Sequence, residues 1–201
     1  RTWHKTLDID LYLRIAPETH LKRCIVGGFD RVYEFARCFR NEGMDASHLQ
    51  DFTLLEFYAA YWNYEDNMDF TERMVKGMVR ELTGGDKLTF KGQEIDFGGT
   101  WPRRPMRDLI LEKTGLDLDQ LRDPAALRNE VRRRVGEAEK EIDRMGWGSL
   151  VDLLYKKTVR PFLKDPIFLI HHPVALSPLA RRDDLLPEVA DRFQLVVCGW
   201  E

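Results

Sequence analysis

The sequence predicts an α+β fold in which an antiparallel sheet is flanked by helices and interrupted by a mostly helical stretch. Three observations predict it. Residues 31–42 and 51–61 alternate with a period of two, as half-buried strands joined by a loop do. Residues 66–82, 125–145 and 149–159 instead carry apolar side chains at three- and four-residue intervals. A chain of 201 residues that is 43% hydrophobic can bury one sizeable core and a small appended subdomain.

Taken in order, Leu11–Ile15 predicts a short strand. Pro17 opens a helix, because its missing N–H costs nothing in a first turn, and Gly27-Gly28 closes it. The two alternating strands follow. From Asp66 to Leu82, Phe70, Met74, Met78 and Leu82 form a stripe expected to face the core, with Gly84-Gly85 as terminator. Leu88–Phe97 turns around Lys91-Gly92 as a small hairpin, and Gly98-Gly99 with Pro102 and Pro105 marks a break. Leu127, Val131, Val135 and Ile142 predict a helix over 125–145. A second apolar face runs over 149–159 and ends at Pro161. Ile167–Ile170 and Phe193–Val197 are apolar enough to be buried strands returning to the sheet.

Charge and cysteine content narrow the function classes. A formal charge of −3 is unlike a module whose whole surface grips nucleic acid, since that affinity rests on neutralising phosphates with Lys and Arg. The run Arg132-Arg133-Arg134 alternates with glutamates and is expected to be a solvated helix face, with an RNA contact as the alternative. No apolar run approaches the roughly 20 residues needed to cross a bilayer. Cys24, Cys38 and Cys198 are odd in number and widely spaced, which fits reduced core thiols rather than a disulfide framework or a zinc site. His171 and His172 are adjacent and point to opposite faces of a strand, poor geometry for one metal, so a structural role is expected.

The chemistry is concentrated in the two strands. Alternation puts Glu56 among Phe52, Leu54, Tyr58 and Ala60, and a carboxylate in such a strand must be met by a cation or several donors. An internal bridge to Arg37 or Arg40 is one answer. A ligand is the other, because Arg40 is a forked donor suited to phosphate or carboxylate, Glu42 an acceptor two residues on, His48 lies in the loop, and Phe52 can stack on a flat ring. Together they are what a nucleotide site beside an ammonium site requires.

Phe39-Arg40-Asn41-Glu42, a loop with His48, and then Phe52-Thr53 to Glu56 resemble motif 2 of the class II aminoacyl-tRNA synthetases, and most closely the lysyl-tRNA synthetases. The resemblance extends to Leu11-Tyr12-Leu13-Arg14-Ile15-Ala16-Pro17-Glu18, Leu21-Lys22-Arg23 and the run from Val26 to Glu34. It continues in His172-Pro173, Ser177-Pro178-Leu179-Ala180-Arg181-Arg182 and Gly199-Trp200-Glu201. It implies a catalytic core over 1–104, a helical insertion over 105–164, and a return to the core sheet over 165–201, short of motif 3.

The activity it implies is ATP-dependent activation of L-lysine and transfer to tRNA(Lys), in a cytoplasmic homodimer that uses Mg²⁺. Arg40 would be the catalytic cation, bridging the α-phosphate and the lysine carboxylate. Glu42 would accept from the adenine amino group, Phe52 would stack on adenine, and His48 would reach the terminal phosphates. Glu18 would meet the α-amino group, Glu56 and Tyr58 would hold the side-chain ammonium, and Glu201 matches a metal ligand whose second carboxylate partner is missing here. The usual Asn-Pro-Glu before the Phe-Thr of this motif is Leu49-Gln50-Asp51, so the loop lacks a stiffening proline. The 201 residues alone are expected to be inactive or nearly so. Competing readings are a lysyltransferase of the same fold acting on an elongation-factor protein, a synthetase for an acidic amino acid or its amide, and a non-catalytic paralogue. Glu56 opposes the second of these, because a carboxylate would repel an acidic substrate.

Overall fold

The structure, a computed structural model, describes residues 1–41, 43, 48–136 and 141–201. Glu42 and the arginine run's neighbours at 137–140 therefore lie outside the described residues. The chain divides into two compact units, Arg1–Trp62 and Asn63–Glu201.

In the first unit, β1 (Thr2–His4) pairs antiparallel with β2 (Ile9–Leu11), and α1 (Glu18–Val26) leads to a long hairpin of β3 (Arg31–Phe39) and β4 (Asp51–Ala59). Helix α1 starts behind Pro17, with the acidic Glu18 in the first turn where the helix dipole favours it. It ends where Gly27 N–H returns to Arg23 O and Gly28 takes φ +98°, a conformation only glycine adopts without strain. Its buried Leu21 faces β3 and β4. The strand expected over Leu11–Ile15 forms only at its first residue. β2 stops at Leu11, and the following segment, constrained by Pro17, makes one strand-like bond to β3, from Phe39 N–H to Arg14 O at 2.8 Å.

In the second unit, α2 (Tyr64–Thr83) is opened by a capping box in which Asn63 Oδ1 accepts from Glu65 and Asp66 N–H while Asp66 accepts from Asn63 N–H. Gly84 closes it in the left-handed region. The helix presents Met68, Val75 and Val79 to the core, whereas Met78 and Leu82 of the expected stripe are exposed. The helix is apolar on more than one side, and periodicity alone does not choose between them. The hairpin β5 (Lys87–Phe90) and β6 (Gln93–Asp96) turns at Lys91 and Gly92, both at positive φ, as two-residue hairpin loops require.

β7 (Arg103–Pro105) runs parallel to β8 (Ile167–Pro173), and β9 (Val189–Val196) pairs antiparallel with β8. Between them lie α3 (Met106–Thr114), α4 (Pro124–Val135) and α5 (Trp147–Thr158). The single helix expected over 125–145 is broken: α4 ends at Gly136, φ +86°, and a short 3₁₀ turn follows at Ile142–Arg144. Strand β8 explains why its sequence is continuously apolar. Leu169 enters a core with Ile110, Leu127, Leu150 and Leu154, while Phe168 and Ile170 enter a second core with Met68, Ile95 and Trp101. Among the described residues the strands form four small sheets rather than one antiparallel sheet, and one of their pairings is parallel. A sheet of mixed direction arises here because β7 and β8 are joined through helices, which reverse the chain an extra time.

The arginine run on α4 is tied up in ion pairs: Arg132 with Asp143, Arg133 and Arg134 with Glu130. That is the expected solvated helix face. The three cysteines are free thiols. No described helix is long and apolar enough to cross a membrane.

Candidate active site

The register of β3 with β4 builds the site. It sets Val32 opposite Tyr58, Glu34 opposite Glu56, Ala36 opposite Leu54 and Cys38 opposite Phe52, all on one face. Ala36 and Cys38 are fully buried, and Phe52, Leu54, Glu56 and Tyr58 are half-buried. Two carboxylates directly across a strand pair repel each other. They find different partners. Glu34 pairs with Arg14, Nη1 to Oε1 2.7 Å, whereas Glu56 Oε1 accepts from the Tyr58 hydroxyl at 2.6 Å. Among the described residues no arginine or lysine forms an ion pair with Glu56.

The internal bridges considered from sequence are thus not made. Arg37 points to the other face, where it pairs with Asp51 at 3.1 Å and donates to Thr53 Oγ1. Arg40 donates from Nε to Ile15 O at 3.3 Å and lies with its guanidinium 5.2 Å over the Phe52 ring. Burial first, then the hydrogen bond to Glu56 and the charges of Glu56 and Glu18, hold the Tyr58 phenol above its ordinary range. Tyr58 is therefore a protonated donor at any physiological pH.

Glu18 lies close enough to Tyr58 to act on it, but its own carboxylate is paired with Lys22 one turn along α1. Lys22 in turn sits 5.7 Å over the Tyr58 ring. His48 is exposed in the loop, and Glu42 lies outside the described residues. The structure thus gathers Glu18, Arg40, Phe52, Glu56 and Tyr58 on one unit. It adds three residues that sequence reasoning left without a role: Glu34, Arg14 and Lys22. Alternation had placed Glu34 on the right face, but only the register shows it opposite Glu56.

In the other unit, Glu201 Oε1 accepts from Arg160 Nη1 at 3.1 Å and Oε2 from Gln194 Nε2 at 2.9 Å. Gln194 Oε1 meets His172 Nε2 at 2.7 Å. His172 is buried, with Nδ1 unpartnered among the described residues, and burial lowers its pKa below the usual histidine value. The strand pairing is irregular between Ile170 and His172, a β-bulge with His171 at φ +52°. Among the described residues no three His, Cys, Asp or Glu side chains converge on a possible metal position. Glu201 offers one carboxylate with a guanidinium beside it, too little to hold a hard cation without oxygens from elsewhere.

Motif, hairpin and arginine together define a class of protein, and comparison with known families agrees. The family model described as tRNA synthetases class II (D, K and N) matches residues 1–201, and the chain belongs to that family. Within it, the chain is similar to lysine–tRNA ligases. Lysine–tRNA ligases of Dehalococcoides mccartyi and Roseiflexus castenholzii are each 45% identical over 200 and 201 residues, covering 100% of this chain and 40% of the relative. That of Fervidobacterium nodosum is 44% identical over 195 residues, covering 97% of this chain and 37% of the relative. The chain thus spans about 40% of the length of the curated relatives it matches.

Proposed function

We propose that this chain carries the lysine- and ATP-binding part of a lysine–tRNA ligase. The observation that carries the reading is Glu56: a half-buried carboxylate, oriented by the Tyr58 hydroxyl, with no ion-pair partner among the described residues. A free ammonium is the chemical complement of such a group. The names of the relatives support tRNA, rather than a protein, as the final acceptor.

In the proposed reaction an oxygen of the lysine carboxylate attacks the α-phosphorus of ATP, the bond to the β-phosphate oxygen breaks, and pyrophosphate leaves. The lysyl-adenylate then acylates the terminal ribose of tRNA(Lys), releasing AMP. No enzyme nucleophile takes part, so the protein's work is alignment and stabilisation of charge on the phosphoryl oxygens. Arg40 suits that work because its planar fork can address phosphate and carboxylate together. Phe52 is read as the ring on which adenine stacks. Glu42 and His48 are assigned to the adenine amino group and the terminal phosphates by the family resemblance. Glu56 with Tyr58 receives the side-chain ammonium. Glu18 receives the α-ammonium by exchanging it for Lys22, and an exposed i,i+4 pair of that kind is worth only about 0.3–0.5 kcal/mol.

Magnesium is proposed to accompany the nucleotide, and Glu201 is assigned to metal binding by the family resemblance alone. The stretch 105–164 is read as an insertion between core segments 1–104 and 165–201, in a sheet flanked by helices. A homodimer acting in the cytoplasm completes the proposal. The test is lysine-dependent ATP–pyrophosphate exchange by the complete polypeptide carrying these residues. Exchange with lysine and none with norleucine, which lacks the ammonium, is expected. Exchange driven equally by norleucine, or by aspartate, would overturn the reading.

A further inference from the structure

The hairpin and α1 bring together three carboxylates, Glu18, Glu34 and Glu56, and two lysine or arginine side chains already paired with them. Lys22 neutralises Glu18 and Arg14 neutralises Glu34. One negative charge, on Glu56, is left over. Arg40, just past the end of β3 and over the Phe52 ring, is the proposed cation for the carboxylate of the amino acid. We propose that Arg14 and Glu34 are a specificity-determining pair: Arg14 is held on Glu34 so that Glu56 stays open to the substrate ammonium.

The geometry makes the pairing a choice between two acceptors. Glu34 and Glu56 are directly opposed in register on the same face, so a guanidinium reaching one comes near the other. What holds Arg14 on the Glu34 side is a second bond, from its Nε to Arg37 O at 3.0 Å, on β3 rather than β4. The same segment fixes Arg40, through Phe39 N–H to Arg14 O and Arg40 Nε to Ile15 O. Both side chains of the pair are only about one-third to two-fifths exposed, so solvent screens them incompletely. If Glu34 loses its charge, Arg14 is free to pair with Glu56 and competes with lysine. If Arg14 loses its charge instead, Glu56 stays open and gains a second negative neighbour.

This inference rests on the reading of Glu56 given above, and four variants in the complete polypeptide separate the two. Lysine KM, ATP KM and thermal unfolding are measured for each. Glu34→Gln is expected to raise the lysine KM about tenfold or more while the ATP KM moves less than about twofold. Arg14→Gln is expected not to raise the lysine KM. Gln Nε2 occupies the position of the arginine Nε, so the bond to Arg37 O survives. The double variant Arg14→Gln/Glu34→Gln is expected to return the lysine KM to within about threefold of the unmodified protein. A merely structural pair would make both single variants impair binding alike and leave the double variant no better. That result, or a lysine KM unmoved by Glu34→Gln, overturns the proposal. Glu56→Gln is the control: if it leaves the lysine KM unchanged, the lysine reading itself fails.

Discussion

Replacing Glu56 by Gln changes a single charge in a site whose geometry is otherwise kept. Gln retains a carbonyl oxygen to accept the Tyr58 hydroxyl, now at 2.6 Å from Glu56 Oε1, so the strand and its partner need not move. What is lost is the attraction for an ammonium. At hydrogen-bonding distance and an effective dielectric near 20, that attraction is about 4 kcal/mol before the cost of removing water. The net value of a hydrogen bond to a charged group is about 1.5–3 kcal/mol. At 1.36 kcal/mol per tenfold, the lysine KM in ATP–pyrophosphate exchange should rise about 10- to 150-fold, with little change in the ATP KM. Stability should move the other way. Glu56 faces Glu34 across the strands, and relieving that repulsion is worth about 0.2–1 kcal/mol. The melting temperature should stay level or rise by up to about 3 °C. A lysine KM within about threefold of the unmodified protein would refute the reasoning, as would an equal rise in both KM values.

Further outcomes are expected elsewhere. Arg40→Lys keeps a positive charge but loses the planar fork, and should lower the exchange rate about 10²- to 10³-fold; a loss below about tenfold would argue against a bridging role. Gly148→Ala would ordinarily gain about 1 kcal/mol of helix propensity, but its Cβ would lie 3.0 Å from Ala175 Cβ and 3.2 Å from Ala175 C and O. Because backbone atoms cannot step aside cheaply, thermal unfolding should show a net loss of about 1–3 kcal/mol, and a rise in stability would contradict the packing. Burial depresses the His172 pKa, so the folded form binds a proton less tightly than the unfolded chain. Its contribution is full above about pH 6.5 and is lost as pH falls from there towards the folded pKa. Melting temperatures at about pH 7.5 and pH 5.5 should differ less in His172→Gln than in the unmodified protein, and an unchanged difference would refute that assignment.

Local signals carried much of the fold. Pro17 and Gly27 bracket α1 because both act within a turn of their own position, and Lys91-Gly92 sets the β5–β6 turn for the same reason. Properties decided by distant partners were not readable. α2 has apolar residues on more than one side, and only Trp101 and Ile95, far along the chain, select Met68, Val75 and Val79. The parallel pairing of β7 with β8 depends on helices between them. In the site, alternation was enough to isolate Glu56 among apolar neighbours. The register that opposes it to Glu34 is set across a loop, and the Arg14 pairing depends on where the chain before Pro17 lies against β3. Neither has a periodic signature.

Lysine recognition is proposed to turn on Glu56 as the acceptor of the substrate ammonium. A crystal structure of the complete polypeptide with bound lysine tests this directly. A lysine side-chain nitrogen within about 3.2 Å of a Glu56 carboxylate oxygen, with Arg14 still on Glu34, is the predicted result. A lysine whose side-chain nitrogen is held elsewhere, with Glu56 neutralised by a residue of the protein, would contradict it.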